Sequence, residues 1–185
     1  LKKEKEFKLM EESYKDKKIE EVIKCYLKTG EFFEKESEDG STKIKLDLDN
    51  DKKIENIEII SKGEKGIISL KINGKNIITD EMGRDYYGFL SYKNKILLCL
   101  GVSDDGLEPR YSVYRYKNGK LEKEFEEEII MIEGIRDGKI LTWWKQLFSN
   151  GNDFEHREYI KYYDINKKRW ENNSSLIGKW LYNDY

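Results

Sequence analysis

The feature that most constrains this chain is a pair of hairpins that recurs. Ile68 to Ile78 reads as strand, Asn73-Gly74, strand, and Tyr111 to Phe125 as strand, Asn118-Gly119, strand. Asn-Gly accepts the positive φ values of a two-residue hairpin turn, so each segment has a steric reason to fold back on itself. Tyr159 to Trp170 is a third version, turning at Asn166-Lys167. Upstream of each lies another hairpin: Lys43 to Ile60 turning near Asp51, Tyr87 to Leu100 turning at Lys93-Asn94, and Ile130 to Trp144 turning at Asp137-Gly138.

Aligned, these segments give three copies of strand, turn, strand, loop, strand, turn, strand at a period of about 45 residues, the period of four-stranded propeller blades. In Ile96-Leu97-Leu98-Cys99-Leu100 and in Tyr111 to Tyr116, both alternate sets carry apolar or aromatic bodies. Such strands are covered on both faces, as blades packed between neighbours would be. From Lys5 to Lys28 the chain has no Pro or Gly, and Phe7, Met10, Tyr14, Ile19, Val22, Ile23 and Tyr26 recur at roughly helical spacing, with Gly30 as a left-handed terminator. The expected architecture is therefore mainly β. It has three propeller-blade-like four-stranded antiparallel units, about 43–80, 86–125 and 129–173, within a domain 30–185 behind a helical segment 1–29. Closed propellers need about four blades or more, so this one is partial or open. The helix, the tail from Ser174 to Tyr185 or a partner must cover the open side.

Charged residues make up 39% of the 185, but acids and bases nearly cancel at a net charge of -2. No general field draws the chain to nucleic acid, and the aromatic region lacks a concentrated basic stripe. No apolar run approaches the roughly 20 residues that span a bilayer, so no transmembrane segment is expected. The chain opens on Leu1 rather than Met, and removal of an upstream segment, which could have held an export signal, is the expectation. Cys25 and Cys99 follow no metal-ligand spacing and are expected as free buried thiols.

One loop carries chemistry. Asp47-Leu48-Asp49-Asn50-Asp51-Lys52-Lys53-Ile54-Glu55 places carboxylates at positions one, three, five and nine, and converging hard oxygens are what calcium requires. Glu58 falls where a helix-loop-helix calcium hand puts its last acid, but Lys52 replaces the turn glycine and both flanks read as strands. Across about 40 residues from Lys43 to Asp80 the chain resembles the FG-GAP or VCBS-type repeat of integrin-like propellers, in which a strand, an acidic loop and another strand open each blade. The stretch from Gly101 to Gly106 followed by Tyr111-Ser112-Val113-Tyr114 likewise resembles members from Gram-positive bacteria, many of them exported proteins or lipoproteins. The resemblance implies calcium held by the side chains of Asp47, Asp49, Asp51 and Glu55 and by the carbonyl of Lys53. It also implies an extracellular or cell-surface setting. The loop departs from the pattern at Lys52 and at Glu55, and the later turns keep the hairpin but not the acids. The same nine residues also read as a solvated turn balanced by Lys43, Lys45, Lys52 and Lys53.

His156 is the only histidine, in a polar stretch, and none of the common nucleophile, zinc, phosphate or dinucleotide motifs occurs. Trp143 and Trp144, if in a strand, point to opposite faces, and an exposed one is a candidate ligand shelf. The functional expectation is a non-enzymatic surface or secreted binding or scaffold module, calcium-stabilised, with a protein or glycan partner. The alternative is a carbohydrate-active hydrolase using a carboxylate pair, for which a pocket holding two acids beside a Trp is the distinguishing sign.

Overall fold

The computed structural model describes residues 17–78, 84–103, 108–151 and 153–183. Helix α1, Ile19–Lys28, ends as its sequence requires: Gly30 has φ 75°, its N–H donates to Leu27 O, and Glu31 N–H donates to Tyr26 O. This double bond satisfies the last carbonyls of the helix. The helical reading upstream of Lys17 lies outside the described residues, as do Asp80 and Asp104 to Gly106 of the resembling stretches.

Three antiparallel meanders follow. The first sheet runs β2 (Gly40–Leu46), β3 (Glu55–Ser61), β4 (Ile67–Ile72), β5 (Lys75–Ile78). The second is β6 (Tyr86–Tyr92), β7 (Lys95–Val102), β8 (Arg110–Lys117), β9 (Lys120–Lys123), and the third is β11 (Ile132–Arg136), β12 (Lys139–Asn150), β13 (Asp153–Asp164), β14 (Arg169–Trp170). Their first strands begin at Gly40, Tyr86 and Ile132, a step of 46 residues each time. The protein is thus mainly β, an open propeller-like row of four-stranded units. Its tight turns carry the expected conformation: Asn73-Gly74, Asn118-Gly119 and Asp137-Gly138 all have positive φ at both residues.

Burial explains the double apolar pattern. Leu98, Leu100, Tyr114 and Tyr116 of the middle sheet join Ile44, Leu46, Ile57, Ile59, Leu70 and Ile72 of the first in one core. Leu97, Cys99, Tyr111 and Val113, the alternate set, join Ile135, Ile140 and Tyr163 of the third in another. Cys25 and Cys99 are free thiols, Cys99 fully buried and Cys25 half-buried.

Some elements had no counterpart in the sequence reading. β12 and β13 continue past the expected Trp144 and Tyr159 into a hairpin of two twelve-residue strands. The tail forms β15 (Ser175–Asn183), paired along the far half of β13. A two-residue β10 (Ile129–Ile130) pairs with the start of β8.

The covering of the inner edges comes from the segment after the helix. β1 (Phe33–Glu36) pairs with β6. The residues just before it bridge β11, with Ile135 N–H donating to Gly30 O and Phe32 N–H to Glu133 O. The third inner strand, β2, is met by the helix, whose Glu20 carboxylate accepts from Lys45 N–H at 3.1 Å. This close approach has a steric requirement at Gly134, where a Cβ would sit 2.2 Å from Gly30 O. Gly134→Ala is therefore expected to cost about 1–3 kcal/mol, the range for overpacking, measured by urea unfolding. An unchanged midpoint would show that the bridge from Gly30 to β11 contributes nothing.

Candidate functional site

The acidic loop lies between β2 and β3. Leu48 is fully buried in the first core, and its carbonyl accepts from Ile96 N–H of β7 at 2.9 Å. The loop is thus held against the middle sheet. Of the four expected carboxylate ligands, Asp47, Asp49 and Glu55 are brought together, with one oxygen from each lying within 4.8 Å of the others. Asp51 is not among them. Its carboxylate accepts from Lys53 N–H at 2.8 Å and pairs with Lys53 Nζ at 3.4 Å.

Backbone donors also serve the cluster. Asp47 accepts from Asp51 and Lys52 N–H at 3.1 and 3.0 Å, and Glu55 accepts from Leu48 N–H at 2.8 Å. Asn50 and Lys52 both adopt positive φ, which lets the loop close without the glycine of the resembling family. Glu55 is buried, and burial holds its carboxyl above the usual glutamate range. The Leu48 N–H opposes that shift, and the charges of Asp49, Asp51 and Asp47 add to it.

A second site sits near the start of β11. A cavity of about 150 Å³ is lined by Glu34, Glu108 and Glu133 together with Pro109, Met131, Ile132 and Trp143. The sequence reading passed over these acids because carboxylates are too numerous to single out a pair; only the fold brings β1, the loop before β8 and β11 together. Glu34 accepts from the Tyr111 hydroxyl at 2.6 Å. Desolvation of its carboxyl end raises its pKa, the Tyr111 hydroxyl opposes this, and the Glu108 charge adds to it.

Trp143 and Trp144 do point apart. Trp143 reaches this cavity, whereas Trp144 donates from Nε1 to Thr142 Oγ1 at 2.7 Å and packs edge-on to Trp170 with Lys161 over its ring. Both Trp143 and Trp144 are half-buried. His156 is half-buried in β13, opposite Leu147 and Trp180. Among the described residues, no helix is long and apolar enough to cross a membrane.

Comparison with protein-family models, curated proteins and solved structures returned no match for this chain. Fold and site together define a class: an open row of propeller-like β-units with an acidic loop at a sheet junction.

The Glu34 environment has a testable sign. Its pKa is raised on folding, so its contribution to stability is present below the ordinary value of 4.5 and is lost as pH climbs through the raised value. Glu34→Gln keeps an oxygen for Tyr111 and cannot ionise. Its melting temperature relative to the native chain should therefore rise between about pH 4 and about pH 7. A constant difference across that range would show that the carboxyl carries no penalty.

Proposed function

We propose that this protein is a non-catalytic binding or scaffold module whose first two sheets are stapled by calcium. The observation that carries the reading is the convergence of Asp47, Asp49 and Glu55 in a loop anchored through Leu48 to the neighbouring sheet. An ion there would offset the mutual repulsion of the acids and tie the loop at the point where β2 and β3 meet β7. Lys53, through its carbonyl, would complete the set as the FG-GAP resemblance implies. Three carboxylates in a largely exposed loop suit the weak binding range of extracellular calcium modules, which agrees with a secreted or surface setting. The stacked sheets and covered inner edges supply a rigid body for display of turns at its ends.

An ion bound by the native loop alone stabilises by mass action, about 2.7 kcal/mol when calcium is in hundredfold excess over its dissociation constant. For a chain of this size that corresponds to a rise of roughly 5–10 °C in melting temperature. The rise should disappear in Asp49→Ala and survive in part in Asp51→Ala, because Asp51 stands apart from the cluster. Identical melts in calcium and in chelator would reject the metal.

The second reading is a carbohydrate-active hydrolase, and the cavity holding Glu34, Glu108 and Trp143 supports it. Its size counts against it, since ligand pockets commonly run from about 300 to 1,000 Å³. Turnover of an aryl glycoside that is abolished in both Glu34→Gln and Glu108→Gln would place this reading first; no turnover would remove it.

A further inference from the structure

The turns β6–β7, β11–β12 and β13–β14 gather at one end of the molecule beside the last turn of α1. Three adjoining concavities of about 520, 420 and 430 Å³ open there, and Tyr92 and Lys93 line all of them. The first has Leu27 and Ile96 on its floor and Lys24, Lys28 and Lys95 around it. The second has Leu97 and Ile165 below Arg115 and Lys168, and the third has Ile135 beside Arg136. Seven bases thus face two acids, Glu124 and Asp137, in a chain whose net charge is -2. Glu124 is already paired with Arg115 at 3.4 Å. Lys24, Lys28, Lys95, Arg136 and Lys168 enter no ion pair among the described residues.

A second observation bears on the centre, where Lys93, like Lys52 and Lys168 elsewhere, adopts positive φ. Three two-residue turns of this fold use Asn-Gly or Asp-Gly, while the β6–β7 turn places Lys93 and Asn94 at φ 49° and 62°. A lysine is poorly suited to that region, and Asn-Gly would make the same turn with less strain. What the lysine provides is a cation at the meeting point of the three concavities. Its Nζ donates to Asn166 Oδ1 at 3.1 Å and stands 5.2 Å from the centre of the Tyr92 ring.

We propose that this basic basin, centred on Lys93, docks an acidic peptide segment of a protein partner. The first concavity sets the half-buried Leu27 and Ile96 within a cationic rim, and the other two add cations over buried Leu97, Ile165 and Ile135, which matches a peptide that carries acidic side chains beside apolar ones. A sugar or a nucleobase would want a free aromatic face, and Lys93 already covers one face of Tyr92. The proposal builds on the binding-module reading and names its partner class, but the calcium melts use no peptide, so either can fail without the other.

The test uses the whole chain, with calcium present, and a fluorescein-labelled peptide of alternating Glu and Leu followed by fluorescence anisotropy. Saturable binding is expected, weakened at least about tenfold when Gln replaces Glu and weakened again at roughly 0.5 M salt. The double variant K93N/N94G should melt about 2–4 °C higher while binding the peptide about tenfold more weakly. Lys168→Glu should weaken binding with no change in melting. Equal affinity for the Gln peptide, or unchanged affinity in K93N/N94G, overturns the proposal. So does capture of a sulfated oligosaccharide or of single-stranded DNA with no binding of the acidic peptide.

Discussion

The burial of both faces of the middle sheet is the constraint from which the rest of this structure follows. β7 sends Leu98 and Leu100 into one core and Leu97 and Cys99 into the other, so neither flanking sheet can leave without exposing a full apolar face to water. Cys99 shows how dry that centre is, since burial pushes its thiol well above the usual range. Side-chain stacking of this kind holds sheets together but leaves strand edges unsatisfied, and unpaired inner strands would invite association. Seventeen residues, from Glu20 to Glu36, meet this need: one carboxylate for β2, one strand for β6 and a two-bond bridge for β11. The inner edges are thus covered by a run of chain threaded past them, and the row of units stays open.

The acidic loop depends on the same arrangement. With Leu48 fixed in the first core and hydrogen-bonded to β7, Asp47 and Asp49 have little freedom to swing apart, and Glu55 begins β3 beside them. The backbone bonds to Asp47 organise the loop without any ion, as in an ordinary Asx-type turn. Those bonds use a carboxylate's acceptor capacity only partly, since an ionised carboxylate offers about four lone-pair positions. A preformed loop of this kind would lose little conformational freedom if it took up a cation, and the acidic crowding around Glu55 is what such a cation would neutralise.

Local chemistry was legible in the sequence, and long-range pairing was not. Turn residues that tolerate positive φ located four of the hairpins; in the other two the positive φ falls at Asn50 and Lys52 around Asp51, and at Lys168 just past Asn166-Lys167. The period of two with both sets apolar revealed the doubly covered sheet, because each signal resides within a few consecutive residues. β1 escaped notice because Phe33-Glu34-Lys35-Glu36 carries no turn and one apolar residue; its strand state is imposed by β6. The extension of β12 through Lys145-Gln146 and of β13 through Glu155-His156-Arg157 has the same origin, since polar residues can prolong a hairpin once the pairing of buried Ile140 with Tyr163 has set its register. The acidic loop was legible as a cluster because its spacing is local, but the departure of Asp51 to Lys53 is a matter of rotamer and turn geometry. Glu34, Glu108 and Glu133 are separated by up to a hundred residues, and no local pattern could assemble them.

The far half of the long hairpin shows why exposed aromatics do not by themselves make a binding shelf. β12, β13 and β15 leave Leu147, Trp180 and Leu181 substantially exposed, which would ordinarily mark an interaction face. The rings, however, are attended by cations: Lys145 stands 5.4 Å from the centre of Trp180, Arg157 4.4 Å from that of Phe148, and Lys161 4.2 Å from that of Trp144. Long basic side chains laid over apolar rings keep their charge in water while their stems shield the ring. A stacking ligand would have to displace those cations and forgo that attraction. The Glu155 carboxylate, paired with Arg157 and with Lys179 at 3.1 Å, further pins the Arg157 stem over Phe148. At the opposite end the relation is reversed, because there Lys24, Lys28, Lys95, Arg136 and Lys168 enter no ion pair among the described residues.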